Sequence, residues 1–562
     1  MKRTIGTVSL TVFVFVALFA GPSVGAEDAG IQVHFEPQKA FPFPPLIFGV
    51  QEEVFTLPYF TSEQWDWWKG LGLTLLRYPA GTSADWFAWD DPERGYWPSE
   101  FEQKRLKLYP DAYVEMCRRE NLAPLIIVNT NLHGIHKPEN RINPTKVESI
   151  RKGAAYAAAW VKHANVVKKQ GVKFWEIGNE TWIWMKEREY PVYVREYAQA
   201  MRKIDPSITI IACGLADDAG RYEPWWLDRD FKNDPTWKSP RVIDDKAEEW
   251  TQALLEDAKG DFDYLALHNY LCASSMDPID NGREAFALIA NDTQLDRQIE
   301  LIRRHKSPVR LAVTEWMINH VWSPANKAVR LERKQITKEQ FDRLDASTSP
   351  MNAFVGALLG TDWLGKMISS EYVDIAVAHT LGDGLSLTWD RIHNKTLNPP
   401  LLQPVGMAVQ FWQRFHGDRV LPVRITGSPA YRFGDKSTPI LSAHATSKGD
   451  TVWLLLINRS PDQSVRVSVQ NILGGRAATS VVEHTLSAPS WKTNVWATVE
   501  DRSHCPIKQA SSPVGVDVLK DYPVPPSRLT CLEISYDGES AAQRSHLKRP
   551  LSSATALPTS RR

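Results

Sequence analysis

Between about residue 46 and residue 380, short apolar runs of β-forming residues alternate with stretches of helical periodicity, which restricts the chain to a parallel sheet wrapped by helices. Eight such runs are readable, at 46–50, 73–78, 124–129, 172–177, 208–213, 262–268, 309–314 and 373–379. Eight parallel strands close a barrel, so the expected class is α/β, a (β/α)8 TIM barrel. Stretches 154–169 and 192–204 carry helical spacing, the second with Tyr193, Tyr197 and Met201 on one face, and belong to the outer ring. After about residue 412 helical signals give way to short alternating segments such as 451–458 and 464–469, the pattern of an antiparallel β-sandwich.

A chain of 562 residues with 43% hydrophobic content exceeds one ordinary core, so two folded units are expected. The expected layout is a signal peptide over 1–26, an N-terminal strand within 27–45 joining the sandwich, a catalytic barrel over 46–411, the sandwich over 412–538, and a disordered tail over 539–562. The leader reading rests on Lys2 and Arg3, an apolar run over 8–20 and the small-residue site Val24-Gly25-Ala26, and it implies a secreted or periplasmic protein. No later run is long and apolar enough to span a bilayer. Lys plus Arg and Asp plus Glu are both 66, so no net charge attracts nucleic acid, and a neutral partner such as carbohydrate fits better. Oligomeric state is not specified by these features. Five cysteines are too few for a disulfide scaffold, although Cys505 and Cys531 fall in one β region and could pair.

Barrel chemistry gathers where strands end and βα loops begin. Glu180 follows the fourth run and Glu315 the seventh, each preceded by a polar residue, Asn179 or Thr314. One such carboxylate reads as a helix cap. Two at these strand ends form the pair a glycosidase uses, with Glu180 as acid/base and Glu315 as nucleophile in a retaining mechanism. Asn179 is placed to bind a sugar hydroxyl. Arg77, ending the second run, either pairs the nucleophile or forms a barrel-mouth salt bridge, and one contact could do both. His268 and Tyr270 end the sixth run, with Tyr270 within reach of the nucleophile or substrate. Glu53, Asn129 and Trp89 are further candidate sugar contacts. His133 and His136 lack a third ligand at sensible spacing, so no metal is expected, and the absence of a phosphate-cradling glycine loop and of a Gly-x-Ser-x-Gly elbow argues against nucleotide chemistry and against a serine hydrolase of the usual α/β type.

Residues 175–180 and Thr314-Glu315-Trp316 resemble the clan A glycoside hydrolases, in which Asn-Glu after strand four is the acid/base and a Glu after strand seven the nucleophile. Within that clan the chain is similar to glycoside hydrolase family 51, the α-L-arabinofuranosidases, through 48–53, 77–81, 211–214, 268–270 and 525–534. The resemblance covers about residues 31–536 and implies a barrel plus β-sandwich, retention of configuration, no cofactor, and sugar contacts from Glu53, Asn179 and Tyr270. Two departures stand out: Ala80 and Thr82 within the usual Arg-Tyr-Pro-Gly-Gly-Asn, and Val50-Gln51-Glu52 in place of His-Phe-Ile. The implied activity is release of α-L-arabinofuranosyl units. The alternatives are a clan A enzyme of other specificity, such as a β-xylosidase or endo-β-glucanase, and a non-catalytic carbohydrate-binding barrel.

Overall fold

The computed structural model describes residues 30–51, 65–79, 81, 84, 87–91, 108–131, 142–143, 146–183, 185–215, 247–271, 273, 275, 277–291, 293–318, 351–382, 384–390, 395–470, 476–495 and 505–536. The expected leader and the expected tail lie outside the described residues, as do Glu53, His133 and His136. Strands Leu46–Gln51, Leu75–Tyr78, Ala123–Val128, Phe174–Ile177, Thr209–Cys213, Tyr264–Leu271, Arg310–Ile318 and Val373–His379 pair parallel in sequence order, and the eighth closes on the first. The eight-stranded barrel read from periodicity is therefore present.

Period-two alternation decides what fills it. Leu75, Leu125, Ile211, Ala266, Ala312 and Ile375, one from each of six strands, form an apolar cluster of their own. Two residues beyond Leu75 on strand two, and two beyond Phe174, which packs against this cluster from strand four, Arg77 and Glu176 replace apolar side chains and are fully buried. At the opposite end Tyr264 donates to Asp374 Oδ2 at 3.0 Å and Arg310 pairs with the same carboxylate, closing the N-terminal mouth with polar groups.

Tyrosine hydroxyls lace the outer helices to the strand ends. Helix Tyr190–Ile204 starts with Pro191 in its first turn and buries Tyr190, Tyr193, Val194, Tyr197 and Met201 along one stripe. The Tyr190 hydroxyl donates to Ile177 O at 2.6 Å and accepts from Cys213 N at 2.7 Å, bridging the ends of strands four and five. Tyr197 donates to Asn129 O at 3.1 Å at the end of strand three. Tyr113 of helix Pro110–Glu120 joins strands two and three in the same way, donating to Leu76 O and accepting from Leu125 N. The helix expected over 154–169 runs earlier, as Val147–Val161, and continues as a wider π-helical turn over Lys162–Val167.

Beyond the barrel lie two packed sheets. The smaller orders Val423–Thr426, Ile31–Phe35, Val465–Gln470 and Tyr522–Val524, and the N-terminal strand runs antiparallel to the first of these but parallel to Val465–Gln470. The larger sheet has seven strands and includes Leu441–Lys448, Thr451–Asn458 and Arg528–Tyr536. Thr451–Asn458 is apolar almost without break because both its faces are covered. Leu454 and Leu456 face the smaller sheet, while Leu455 and Ile457 join the core that packs on the barrel. Cys505 and Cys531 are both free thiols, so the disulfide considered from sequence is not formed. Cys531 is fully buried, and burial pushes its thiol well above the ordinary value.

Candidate active site

A sharp backbone turn delivers the first carboxylate. After strand four, Gly178 has φ +73° and Glu180 φ +47°, a left-handed conformation that costs a residue with a Cβ. A side chain at Gly178 would collide with Thr130 and Thr181, so this turn requires glycine. Asn179 and Glu180 thereby turn into the barrel mouth.

A register shift delivers the second. Strands six and seven pair Leu267 with Val313 and then His268 with Glu315, leaving Thr314 as the extra residue of a bulge. The bulge suspends the inward-outward alternation. Thr314 donates to Glu176 Oε1 at 3.0 Å, while the next residue, Glu315, still reaches Arg77 and His268.

One oxygen of Glu180, one of Glu315 and one ring nitrogen of His268 lie within 4.8 Å of one another. His268 Nδ1 is 3.0 Å from Glu180 Oε1 and 3.5 Å from Glu315 Oε2. Arg77 Nη1 donates to Glu315 Oε1 at 2.7 Å and Nη2 to Asn179 Oδ1 at 2.7 Å, and the Tyr270 hydroxyl donates to Glu315 Oε2. Burial alone would raise the Glu315 carboxyl, but His268, His379, Arg77 and the Tyr270 hydroxyl outweigh it and hold the group well below the usual carboxylate range. Burial opposes charging of His268 too, yet the adjacent glutamates raise it above its ordinary value. The same three atoms are close enough to hold a metal ion, but Arg77 beside Glu315 opposes a cation there. Gly81 approaches so closely that an added Cβ would stand 3.1 Å from Glu315 Oε1.

The structure thus brings Arg77, Asn179, Glu180, His268, Tyr270 and Glu315 together, from the C-terminal parts of strands two, six and seven and the turn after strand four; Glu315, expected to follow its strand, lies inside Arg310–Ile318. It does not bring Trp89 to them. Its ring stacks on Trp160 at 5.9 Å and contacts Tyr156 and His163 of the outer helix. Asn129 shapes its own loop, donating to Phe87 O at 3.1 Å and accepting from Asn131 N at 2.9 Å. Three further residues escaped the sequence reading. Gln51, ending strand one, accepts from Arg77 Nη1. His379 ends strand eight, with its ring 5.9 Å from that of Tyr270. Glu176 accepts from Arg77 Nε at 2.7 Å. A lone carboxylate inside Phe174-Trp175-Glu176-Ile177 was a legible signal, because a buried acid is rare unless paired.

Residues 58–254 match the family model described as the alpha-L-arabinofuranosidase 1 domain. An intracellular exo-α-(1→5)-L-arabinofuranosidase of Acetivibrio thermocellus is 25% identical over 283 residues, covering 46% of this chain and 48% of that protein, so the chain aligns with about half of that relative's length. The corresponding protein 1 of Bacillus subtilis is 23% identical over 445 residues, covering 74% of this chain and 78% of its own. A thermostable family 51 α-L-arabinofuranosidase from Thermotoga petrophila superposes with a TM-score of 0.60 at 16% identity, over 90% of this chain and 100% of that one. Both curated relatives are named intracellular, which corrects the expectation of a secreted or periplasmic protein. Two basic residues followed by an apolar run are a compositional pattern only, and these relatives outweigh it. By its domain match and its relatives the chain is similar to the family 51 α-L-arabinofuranosidases of clan A, and the superposition shows that it shares their barrel fold.

Proposed function

We propose that the protein releases α-L-arabinofuranosyl units from oligosaccharide or polysaccharide by double displacement, with Glu315 as nucleophile and Glu180 as acid/base. The observation that carries this is the approach of the two carboxyl groups, whose nearest oxygens lie within 4.8 Å. Retaining enzymes hold their carboxyls about 5 Å apart, whereas inverting enzymes leave room for water at roughly 6.5–9.5 Å. Glu315 is kept anionic by Arg77 and Tyr270, as attack on the anomeric carbon requires. Glu180 then gives its proton to the leaving oxygen and later takes one from the water that releases the sugar. Asn179, its amide oxygen anchored by Arg77, presents the other end of the amide to a sugar hydroxyl. Names of the relatives favour exo release of the arabinofuranosyl unit. The meeting of both carboxylates argues against a non-catalytic binding protein.

Glu315→Gln is expected to reduce turnover of 4-nitrophenyl α-L-arabinofuranoside to background. Glu180→Ala is expected to lose about 100-fold more activity on arabino-oligosaccharides than on that aryl substrate, since only a poor leaving group needs the proton. Equal losses on the two substrates would remove the acid/base role from Glu180.

A further inference from the structure

Beneath the carboxylate pair lies a third, Glu176, which the reaction as described does not use. Its strand partners Ile127 and Ile211 belong to the apolar cluster inside the barrel, so its side chain enters that interior from strand four. It is fully buried and both its oxygens are engaged, Oε2 by Arg77 Nε at 2.7 Å and Oε1 by Thr314 Oγ1 at 3.0 Å. A buried ion pair gains little over well-packed apolar side chains in a barrel layer, so stability alone does not explain a carboxylate here. Geometry does explain it. A guanidinium is planar, so fixing its Nε edge fixes both Nη groups. Those groups hold Glu315 Oε1 and Asn179 Oδ1, each at 2.7 Å.

We propose that Glu176 is a positioning residue for the hydrolysis, acting through Arg77 to set where the nucleophile and the sugar-facing amide stand. Anchored at Nε, the guanidinium cannot swing to follow Glu315, so the attacking oxygen keeps its line to the anomeric carbon. A second negative charge on the same cation also means that Arg77 does not neutralise Glu315 alone. The role rests on the hydrolase reading above.

The test is a kinetic cycle on the full chain with 4-nitrophenyl α-L-arabinofuranoside. Glu176→Gln keeps the shape and removes the charge, and is expected to lower kcat about 100-fold with KM changed less than about threefold. In an Arg77→Leu background the same substitution is expected to cause no further loss of kcat, because the group it acts through is gone. An unchanged kcat, or the same factor in both backgrounds, overturns the proposal. Should Glu176→Gln fail to fold, Thr314→Val removes one hydrogen bond from the anchor and is expected to lower kcat about 10-fold at constant KM. An unaltered kcat in that variant also overturns the proposal. A folded wild-type protein that leaves the aryl arabinofuranoside intact instead defeats the hydrolase reading, and the role of Glu176 falls with it.

Discussion

Tyr270 touches the proposed nucleophile through one hydroxyl, and that contact is one of several that hold Glu315 ionised against the cost of burial. Removing it in Tyr270→Phe leaves burial less opposed, so the Glu315 carboxyl rises toward the ordinary range. The nucleophile is active only when ionised, so the acidic limb of the kcat/KM profile is expected to move to higher pH, with kcat at the optimum reduced about 10- to 100-fold. A pH series on the aryl arabinofuranoside checks this, and an unmoved acidic limb would show that Arg77 and the histidines suffice. At this scale the sequence was partly legible. Strand-end polar residues such as Arg77, Asn179 and His268 announced themselves, whereas Trp89 did not belong with them, because an indole's likeness to a sugar platform says nothing about which face of the barrel wall its loop follows.

Helix Tyr190–Ile204 shows how an outer element positions the site. Its first residue bridges Ile177 O and Cys213 N at the strand ends flanking the Gly178–Glu180 turn. Tyr190→Phe leaves a buried carbonyl and a buried amide without that hydroxyl, a loss expected to cost about 1–3 kcal/mol. Denaturant unfolding measures this cost. A kcat decrease beyond that of an equally destabilised surface variant would show that the helix props the turn carrying Glu180 as well. The stripe of buried residues on this helix was readable from its spacing. The bulge at Thr314 was not, since two consecutive inward-reaching residues contradict a period of two and only the pairing of strand seven with strand six produces them.

Barrel and sandwich are joined by a buried ionic cluster. Asp362, on barrel helix Val355–Ile368, accepts from Arg459 Nε at 2.7 Å and Ser442 Oγ at 2.6 Å, and lies 3.0 Å from His444 Nε2, all three from the sandwich. The His444 ring sits where a side chain at Gly365 would stand. Burial pushes the Asp362 carboxyl up, but Arg459 and His444 reverse this and hold it well below its usual value. Because the folded value lies under the unfolded one, this stabilisation is complete above the unfolded value and is lost as pH falls toward the folded one. Wild-type stability is therefore expected to decline below about pH 4, with one transition for both units. Asp362→Asn is expected to remove about 3–5 kcal/mol at neutral pH and to flatten that decline. Thermal unfolding across pH tests both, and two separate wild-type transitions would contradict the coupling.

Periodicity is a local property of the chain, so the sequence by itself determined the kinds of element, the count of eight barrel strands, the switch to β-structure after about residue 412 and the two strands, fourth and seventh, that carry Glu180 and Glu315 into place. Side-chain partnership is not local. Arg77 meets Gln51, Glu176, Asn179 and Glu315 across sequence separations of 26, 99, 102 and 238 residues. Those meetings depend on strand stagger, barrel closure and one bulge, each set by the packing of the whole sheet, so only the tertiary structure could decide that a single arginine ties the buried carboxylate to the pair above it.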